Sequence, residues 1–248
     1  MLLTRSAVFV SLFVLCSALS AIAQTGAPAP ATPDAGRQTI HATRLTEPIK
    51  VDGRLDEGLY SRVAPSSGFV QSEPMPGAPA NERTDVWVTF DENAVYVSFR
   101  VWESEPDKLI AKEMRRDSAN ITQNDSVAFV LDTFNDRRNG VIFTMTPIGG
   151  RMDGQISNES NYNGDWNPVW LVKPGRFDGG WTLETRIPFK SLRYRESGPV
   201  IWGINFRRVV RWKNEHVTVG PLPAAFGSTG LGQMQAEFDA MLTPGHHF

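Results

Sequence analysis

The sequence is nearly free of cysteine, since Cys16 is the single one among 248 residues. That residue lies in an N-terminal apolar stretch, and a chain processed after this stretch would contain no thiol. Disulfide bonds, cysteine-ligated metals and thiol catalysis are therefore excluded from the mature protein. The four histidines are scattered, and no pair has the spacing of zinc ligands within a regular element. A zinc site is not expected either.

The sequence also lacks a strong charge imbalance and the short motifs of common enzymes. Its formal net charge is −2, so no basic excess indicates a nucleic-acid partner. No nucleophile elbow, phosphate-binding loop or dinucleotide fingerprint is present. A glycoside hydrolase needs two carboxylates across a cleft, and Asp125, Asp132, Asp153 and Asp165 are available for that role. Because acidic residues are common at strand ends, we predict a non-enzyme and keep the glycosidase as an alternative.

The N-terminus has the pattern of a secretory signal peptide. Arg5 precedes an apolar run through residues 7–21, which ends in an Ala-Ile-Ala cleavage pattern. A membrane anchor would need about 20 apolar residues without such a site. A lipoprotein is disfavoured because Leu15 precedes Cys16, where a small residue is expected. Residues 1–23 therefore predict export, to the periplasm, the outer membrane or the medium.

Short apolar segments separated by turn residues dominate the rest of the chain. Gly and Pro are frequent, at 21 and 17 residues, and clear amphipathic helices are scarce, which favours an all-β domain. The central stretch DSVAFVLDTFNDRRNGVIFTM predicts strands over residues 125–132 and 140–146 with a charged loop between them. The first of these is apolar on both faces, which is typical of a strand covered on both sides.

Other segments alternate between apolar and polar residues with the period of a strand. In residues 94–103, Val95, Val97, Phe99 and Val101 share one face. About ten such segments predict an antiparallel β-sandwich.

Composition divides the chain into four parts. After the signal peptide, residues 24–37 are rich in Pro, Ala and Gly and predict a disordered tether. Residues 38–220 contain the predicted sandwich. Residues 221–248 are interpreted as a C-terminal tail or a truncated remnant, because the strand pattern weakens there.

Several segments carry a family resemblance. They are Val51-Asp52-Gly53-x-Leu55-Asp56-Glu57, Asp91-x-x-Ala94-Val95-Tyr96-Val97, and Asn124-Asp125-Ser126-Val127 with Leu131-Asp132. They resemble family 9 carbohydrate-binding modules. The resemblance implies an all-β antiparallel sandwich of jelly-roll type that binds an oligo- or polysaccharide without catalysis, in polysaccharide breakdown or uptake. It also allows a structural calcium ion, because members of the family can bind one.

A second set of segments resembles bacterial exported proteins in which such a module precedes a putative outer-membrane barrel domain. These segments are LDTFNDRR (131–138), DWNPVW (165–170), GWTLE (180–184), IPFKSL (187–192) and WGINFRR (202–208). The sequence ends at Phe248 without a second domain, so we expect a stand-alone module or a truncated product. The resemblance leaves one alternative function open: a periplasmic structural or interaction domain whose partner is an outer-membrane protein.

The candidate binding residues cluster within nine positions of a loop-like segment. They are Tyr162, Asn163, Asp165, Trp166 and Trp170. Aromatic faces suit the C–H face of a sugar, and planar polar groups suit its hydroxyls. The sequence therefore predicts a sugar platform. The alternative is that one of the two tryptophans fills the end of the sandwich as core.

Two arginines and two aspartates complete the candidates. Arg115 and Arg137 lie before and after the first central strand, and their guanidinium groups suit paired hydroxyls as well as surface ion pairs. Asp52 and Asp56 are the weak calcium candidates, although turn chemistry accounts for Asp52 without an ion. We predict no required cofactor.

Overall fold

The computed structural model describes residues 38–158, 160–194, 200–219 and 234–238. The predicted signal peptide, the predicted tether and most of the predicted C-terminal tail lie outside these ranges. The described residues form two β-sheets packed face to face, and almost all strand pairs are antiparallel. The predicted all-β sandwich is confirmed.

The described ranges contain thirteen strands and one short α-helix. The strands are β1 Gln38–Arg44, β2 Phe69–Glu73, β3 Thr84–Phe90, β4 Ala94–Trp102, β5 Ser126–Asp132, β6 Gly140–Met145, β7 Arg151–Ser157, β8 Asn161–Asn163, β9 Leu171–Phe177, β10 Gly180–Pro188, β11 Val200–Val210, β12 Glu215–Val219 and β13 Met234–Phe238. Helix α1 is Leu59–Arg62, and 3₁₀ turns occupy Pro106–Lys108, Ala119–Gln123, Phe189–Ser191 and Arg211–Lys213. Within the described ranges, no helix is long and apolar enough to cross a membrane.

The first sheet has the order β8-β7-β6-β5-β11, and the far edge of β11 is shared by two strands. The first half of β11 pairs with β13 and the second half with β12, which in turn pairs with β2. The second sheet has the order β1-β3-β4-β10-β9. Strand β1 joins both sheets, because its first part runs parallel to β13 and its last two residues run parallel to β3.

The main core lies between the two sheets. The predicted apolar face of β4 points inward, and Phe99 on it contacts Phe129 of β5 and Phe206 of β11, with ring centroids 6.3 and 6.0 Å apart. Each large apolar side chain buried in this way stabilises the fold by about 1.5–3 kcal/mol. The alternation of apolar and polar residues along a strand therefore determines which of its faces packs in the core between the sheets.

A smaller apolar cluster covers the opposite face of the second sheet. Helix α1 supplies Leu59 and Tyr60, which pack with Leu55 on Trp87 of β3. The Trp87 indole N–H also donates to the carbonyl of Val63, 2.9 Å away. The segment before β2 is thus attached to the outside of the sandwich.

Candidate functional site

The two tryptophans of the predicted platform lie where the chain passes from one sheet to the other. Strand β8 ends the first sheet and β9 begins the second, and residues 164–170 connect them. This crossing segment places Trp166 and Trp170 edge-on against Phe143, with ring centroids 5.8 and 5.0 Å from it. The structure therefore brings the two predicted tryptophans together.

The two tryptophans differ in exposure. Trp170 is 5% exposed and belongs to the main core, and its indole N–H donates to Asp153 Oδ1 at 2.7 Å. Trp166 is only partly buried at the edge of that core. Trp170 thus has the packing role that the sequence left open, while Trp166 keeps surface that a ligand can reach.

Tyr162, Asn163 and Asp165 lie at the outer edge of the first sheet and are exposed. Tyr162 is 51% exposed, and its hydroxyl donates to the carbonyl of Asp153 at 3.1 Å. It pairs with Ile156 across the strands, on the face opposite Phe143, because side chains alternate along β7. Tyr162 and the tryptophans therefore lie on opposite sides of this edge.

A buried carboxylate lies behind the tryptophans. The side chain of Asp153 is fully buried, and its Oδ1 accepts from Trp170 and from Arg116 Nη2, each at 2.7 Å. Burial raises the pKa of Asp153, although the bonds from Trp170 and Arg116 act in the opposite direction. Among the described residues, Asp153 Oδ2 and Arg116 Nε have no hydrogen-bond partner.

Arg116, rather than Arg115, reaches this cluster. Arg115 is largely exposed and donates to Glu113 through two nitrogens, at 3.1 and 2.9 Å. Arg116 also donates to the carbonyl of Pro168 at 3.1 Å, which links it to the crossing segment. From the sequence, Asp153 is only one of four available acids, and Arg116 is not singled out. A carboxylate at an inward position of a strand is a signal that could have selected Asp153.

Arg137 lies away from this cluster. Its loop folds around its own carboxylates, because Asp132 Oδ2 accepts from the backbone N–H of Arg137 at 2.6 Å. The neighbouring Arg138 donates to Asn158, just beyond the end of β7, whereas Arg116 contacts Asp153 near its start. A seven-residue strand spans roughly 20 Å, so the structure does not bring Arg137 to the tryptophans.

The other acids named in the sequence hold backbone groups. Asp125 accepts from the backbone N–H groups of Ile110 and Arg211 at 2.6 and 3.0 Å. Asp132 accepts from the turn that follows β5. These two carboxylates have structural roles as acceptors for loops at the ends of β5.

The calcium candidates Asp52 and Asp56 belong to a turn on the second sheet. Asp52 Oδ2 lies 3.0 Å from Lys50 Nζ, and its Oδ1 accepts from the backbone N–H of Arg54. Asp56 is exposed. In the part of the chain that the structure describes, no three His, Cys, Asp or Glu side chains are grouped to hold a metal ion.

Glu184 of β10 holds this turn. Its carboxylate accepts from the backbone N–H groups of Asp52 and Gly53 and from the Tyr60 hydroxyl, at 2.9, 2.8 and 2.8 Å. Burial raises the pKa of Glu184 to about 7. The three donors are neutral groups, so no cation compensates the carboxylate for the water it loses on burial. The family-like Val-Asp-Gly motif is therefore an attachment point for the segment before β2.

Comparison with known proteins identifies the fold. No protein-family model and no curated protein matches the sequence. A protein of proposed carbohydrate-binding function from Bacteroides uniformis is similar in structure, with a TM-score of 0.62 at 10% identity over 82% of this chain and 99% of that chain. A family 9 carbohydrate-binding module from Caldicellulosiruptor kristjanssonii, in complex with glucose, has a TM-score of 0.52 at 15% identity over 81% and 95% of the two chains. The chain thus has a fold like that of family 9 carbohydrate-binding modules.

Proposed function

We propose that this protein binds carbohydrate without catalysis, at the crossing segment around Trp166. One observation carries the proposal. The partly exposed Trp166 ring packs on Phe143, the cross-strand partner of Asp153; Asp153 is paired with Arg116, and its Oδ2 has no hydrogen-bond partner among the described residues. Buried polar atoms are normally hydrogen-bonded, so a hydroxyl or a water is expected there.

The chemistry of the site suits a sugar ring. The face of Trp166 packs against sugar C–H groups, as aromatic faces do in binding sites. The side chain of Arg116 is 28% exposed, so its guanidinium can donate to hydroxyls while Asp153 holds it in place. The exposed Asn163 and Asp165 next to Trp166 add an amide and a carboxylate.

Three further observations support the proposal. The fold is similar to that of a carbohydrate-binding module in complex with glucose. The N-terminal pattern indicates export, which fits a role in polysaccharide breakdown or uptake. The carboxylates of Asp125 and Asp132 accept backbone N–H groups at opposite ends of β5, which favours structural roles over a shared catalytic one.

Calorimetry on the exported chain tests the proposal. The protein is recovered after export, with an N-terminus expected at Gln24, and titrated with xylo-, cello- and peptidoglycan-derived oligosaccharides, with and without calcium. Saturable binding to one class is expected. Trp166→Ala should weaken it at least about tenfold, because stacked aromatic residues dominate such sites.

Trp102→Ala is the matched control. Trp102 is also a half-buried tryptophan, but it packs on Phe177 and Arg83 at the second sheet. This variant should keep the affinity. Absence of binding to every sugar by a folded protein would overturn the proposal and favour the envelope interaction domain, with an outer-membrane protein as partner.

A further inference from the structure

We infer that the ligand is an acidic oligosaccharide, one that contains uronic acid units, and that Arg151 binds its carboxylate. This inference rests on the proposed carbohydrate-binding function and specifies the substrate class of the same site. It is carried by the position of Arg151 and by the pairing of the charges around the crossing segment.

Arg151 lies at the crossing segment, against the buried tryptophan. It begins β7 and points to the same side as Asp153, two residues later. Its guanidinium carbon is 5.6 Å from the Trp170 ring centroid, and Nη1 donates to the carbonyl of Trp170 at 3.2 Å. Arg116 Nη2 and the Trp170 indole N–H donate to the same oxygen of Asp153. Both guanidinium groups therefore neighbour Trp170.

Arg151 differs from the other two arginines in its charge partners. Arg115 is paired with Glu113 at 2.9 Å and Arg116 with Asp153 at 2.7 Å. Over the ranges that the structure describes, no carboxylate lies within ion-pair distance of Arg151. A half-buried cation without a counter-charge loses hydration without full compensation, so it attracts an anionic group.

The neighbouring acids do not supply that counter-charge. Asp117 faces Arg116, with Oδ2 3.3 Å from Nε. Asp165 is exposed, where water and salt screen its charge. Arg151 is therefore the cation of this site that an anionic group on the ligand can pair with.

The geometry of Arg151 suits a carboxylate. One of its terminal nitrogens holds the Trp170 carbonyl, and the remaining N–H donors can form the paired bonds that guanidinium groups make with carboxylates. Contact with the Trp170 ring limits the rotation of the side chain, so less conformational entropy is lost on binding. A uronic acid places such a carboxylate on a ring that can stack on Trp166.

The test compares matched neutral and acidic ligands by calorimetry on the exported chain. The probes are xylotetraose, the same oligosaccharide with one glucuronic acid branch, and an oligogalacturonide. The acidic probe that fits should bind roughly 10–100 times more tightly than the neutral one, as charge-assisted hydrogen bonds do. Arg151→Gln should remove that preference, so that the ratio of acidic to neutral affinity falls to about one.

Two variants make the result specific. Arg54→Gln removes the same charge from an exposed arginine on the second sheet, and it should keep the full preference. Arg151→Lys keeps the charge but loses the planar group, and an intermediate preference is expected. Circular dichroism shows whether Arg151→Gln folds. If it does not fold, the inference is tested by the preference of Arg151→Lys for the acidic sugar and by the loss of the wild-type preference as salt is added.

The outcomes separate the two proposals. Equal affinity for neutral and acidic sugars would overturn the acidic-ligand inference and leave carbohydrate binding intact. A preference that survives in Arg151→Gln would also overturn it, as would displacement of the acidic sugar by acetate as efficiently as by galacturonate. No binding to any sugar would overturn the proposed function itself.

Discussion

Gly154 is the residue on which the position of Tyr162 depends. The ring of Tyr162 lies directly on the backbone of β7 at Gly154, and a Cβ atom there would fall far inside van der Waals contact of the ring. Glycine is therefore needed for a close approach rather than for a special backbone angle. Tyr162, at the outer edge of the first sheet, can take this position only because residue 154 has no side chain.

Gly154→Ala should displace the ring of Tyr162 and destabilise the protein by at most about 1 kcal/mol, because this half-exposed side chain can turn toward solvent. Chemical denaturation measures this change. The control introduces the same substitution into the Tyr162→Ala variant, in which the ring is absent. In that background Gly154→Ala should cost much less, because nothing remains to clash. Equal costs in both backgrounds would contradict the assigned contact.

At the scale of an element, the segment before β2 depends on one carboxylate. Glu184 receives three hydrogen bonds from this segment, and Thr182 donates to the carbonyl of Gly53 beside it. The raised pKa of Glu184, about 7 in the fold against 4.5 for the free side chain, makes the attachment dependent on pH. The nearby Glu57 contributes to the upward shift.

The sign of this dependence follows from proton linkage. Between about pH 4.5 and 7 the folded state binds more protons at Glu184 than the unfolded state does. The contribution of Glu184 to the free energy of unfolding is therefore fully present below about pH 4.5 and is lost as the pH rises to about 7. Glu184→Gln should flatten this part of the stability profile, measured by denaturation across that range. Glu47→Gln, an exposed control, should retain the wild-type slope.

Elements with a clear apolar alternation were predictable from the sequence, and elements held by backbone pairing alone were not. The inward face of β4 follows from its alternating valines. Strand β8 fell within a predicted loop, because its three residues are polar and exposed and only its pairing with β7 defines it. Strand β13 was not predicted because the segment around it, rich in Gly and Pro, shows no strand pattern.

The candidate site was predictable to the same limited degree. The tryptophans were found because they are close in sequence. The Arg116–Asp153 pair joins residues 37 positions apart, which only the pairing of distant segments brings together. Arg137 was proposed because it flanks the same hairpin as Arg115, but the two loops lie at opposite ends of the strands. Residues that precede and follow one strand lie at its opposite ends, so the order of the sequence already argued against one site that contains both arginines.

At the scale of the whole molecule, one buried ion pair joins the two sheets. Arg208 of β11 in the first sheet lies 2.7 Å from Glu103, which follows β4 in the second sheet, and both side chains are 1% exposed. Arg208 also donates to the carbonyls of Arg83 and Trp102, and Trp181 donates to Glu103. Burial raises the pKa of Glu103, and Arg208 opposes that shift.

Breaking this pair should be costly because one charge would stay buried without its partner. We expect Glu103→Ala to lower the free energy of unfolding by about 3–5 kcal/mol. The double variant Glu103→Leu with Arg208→Met should cost clearly less, since apolar side chains of similar size can replace a buried pair.

The exposed pair Arg44 and Glu92, at 3.4 Å, is the control, and Glu92→Ala should change stability by less than about 1 kcal/mol. Urea denaturation of all three variants compares the costs. If Glu103→Ala cost no more than Glu92→Ala, the pair would not hold the sheets together. If the double variant cost as much as the single one, the hydrogen bonds of Arg208 to the backbone of the second sheet, rather than its charge pairing, would be the connection between the sheets.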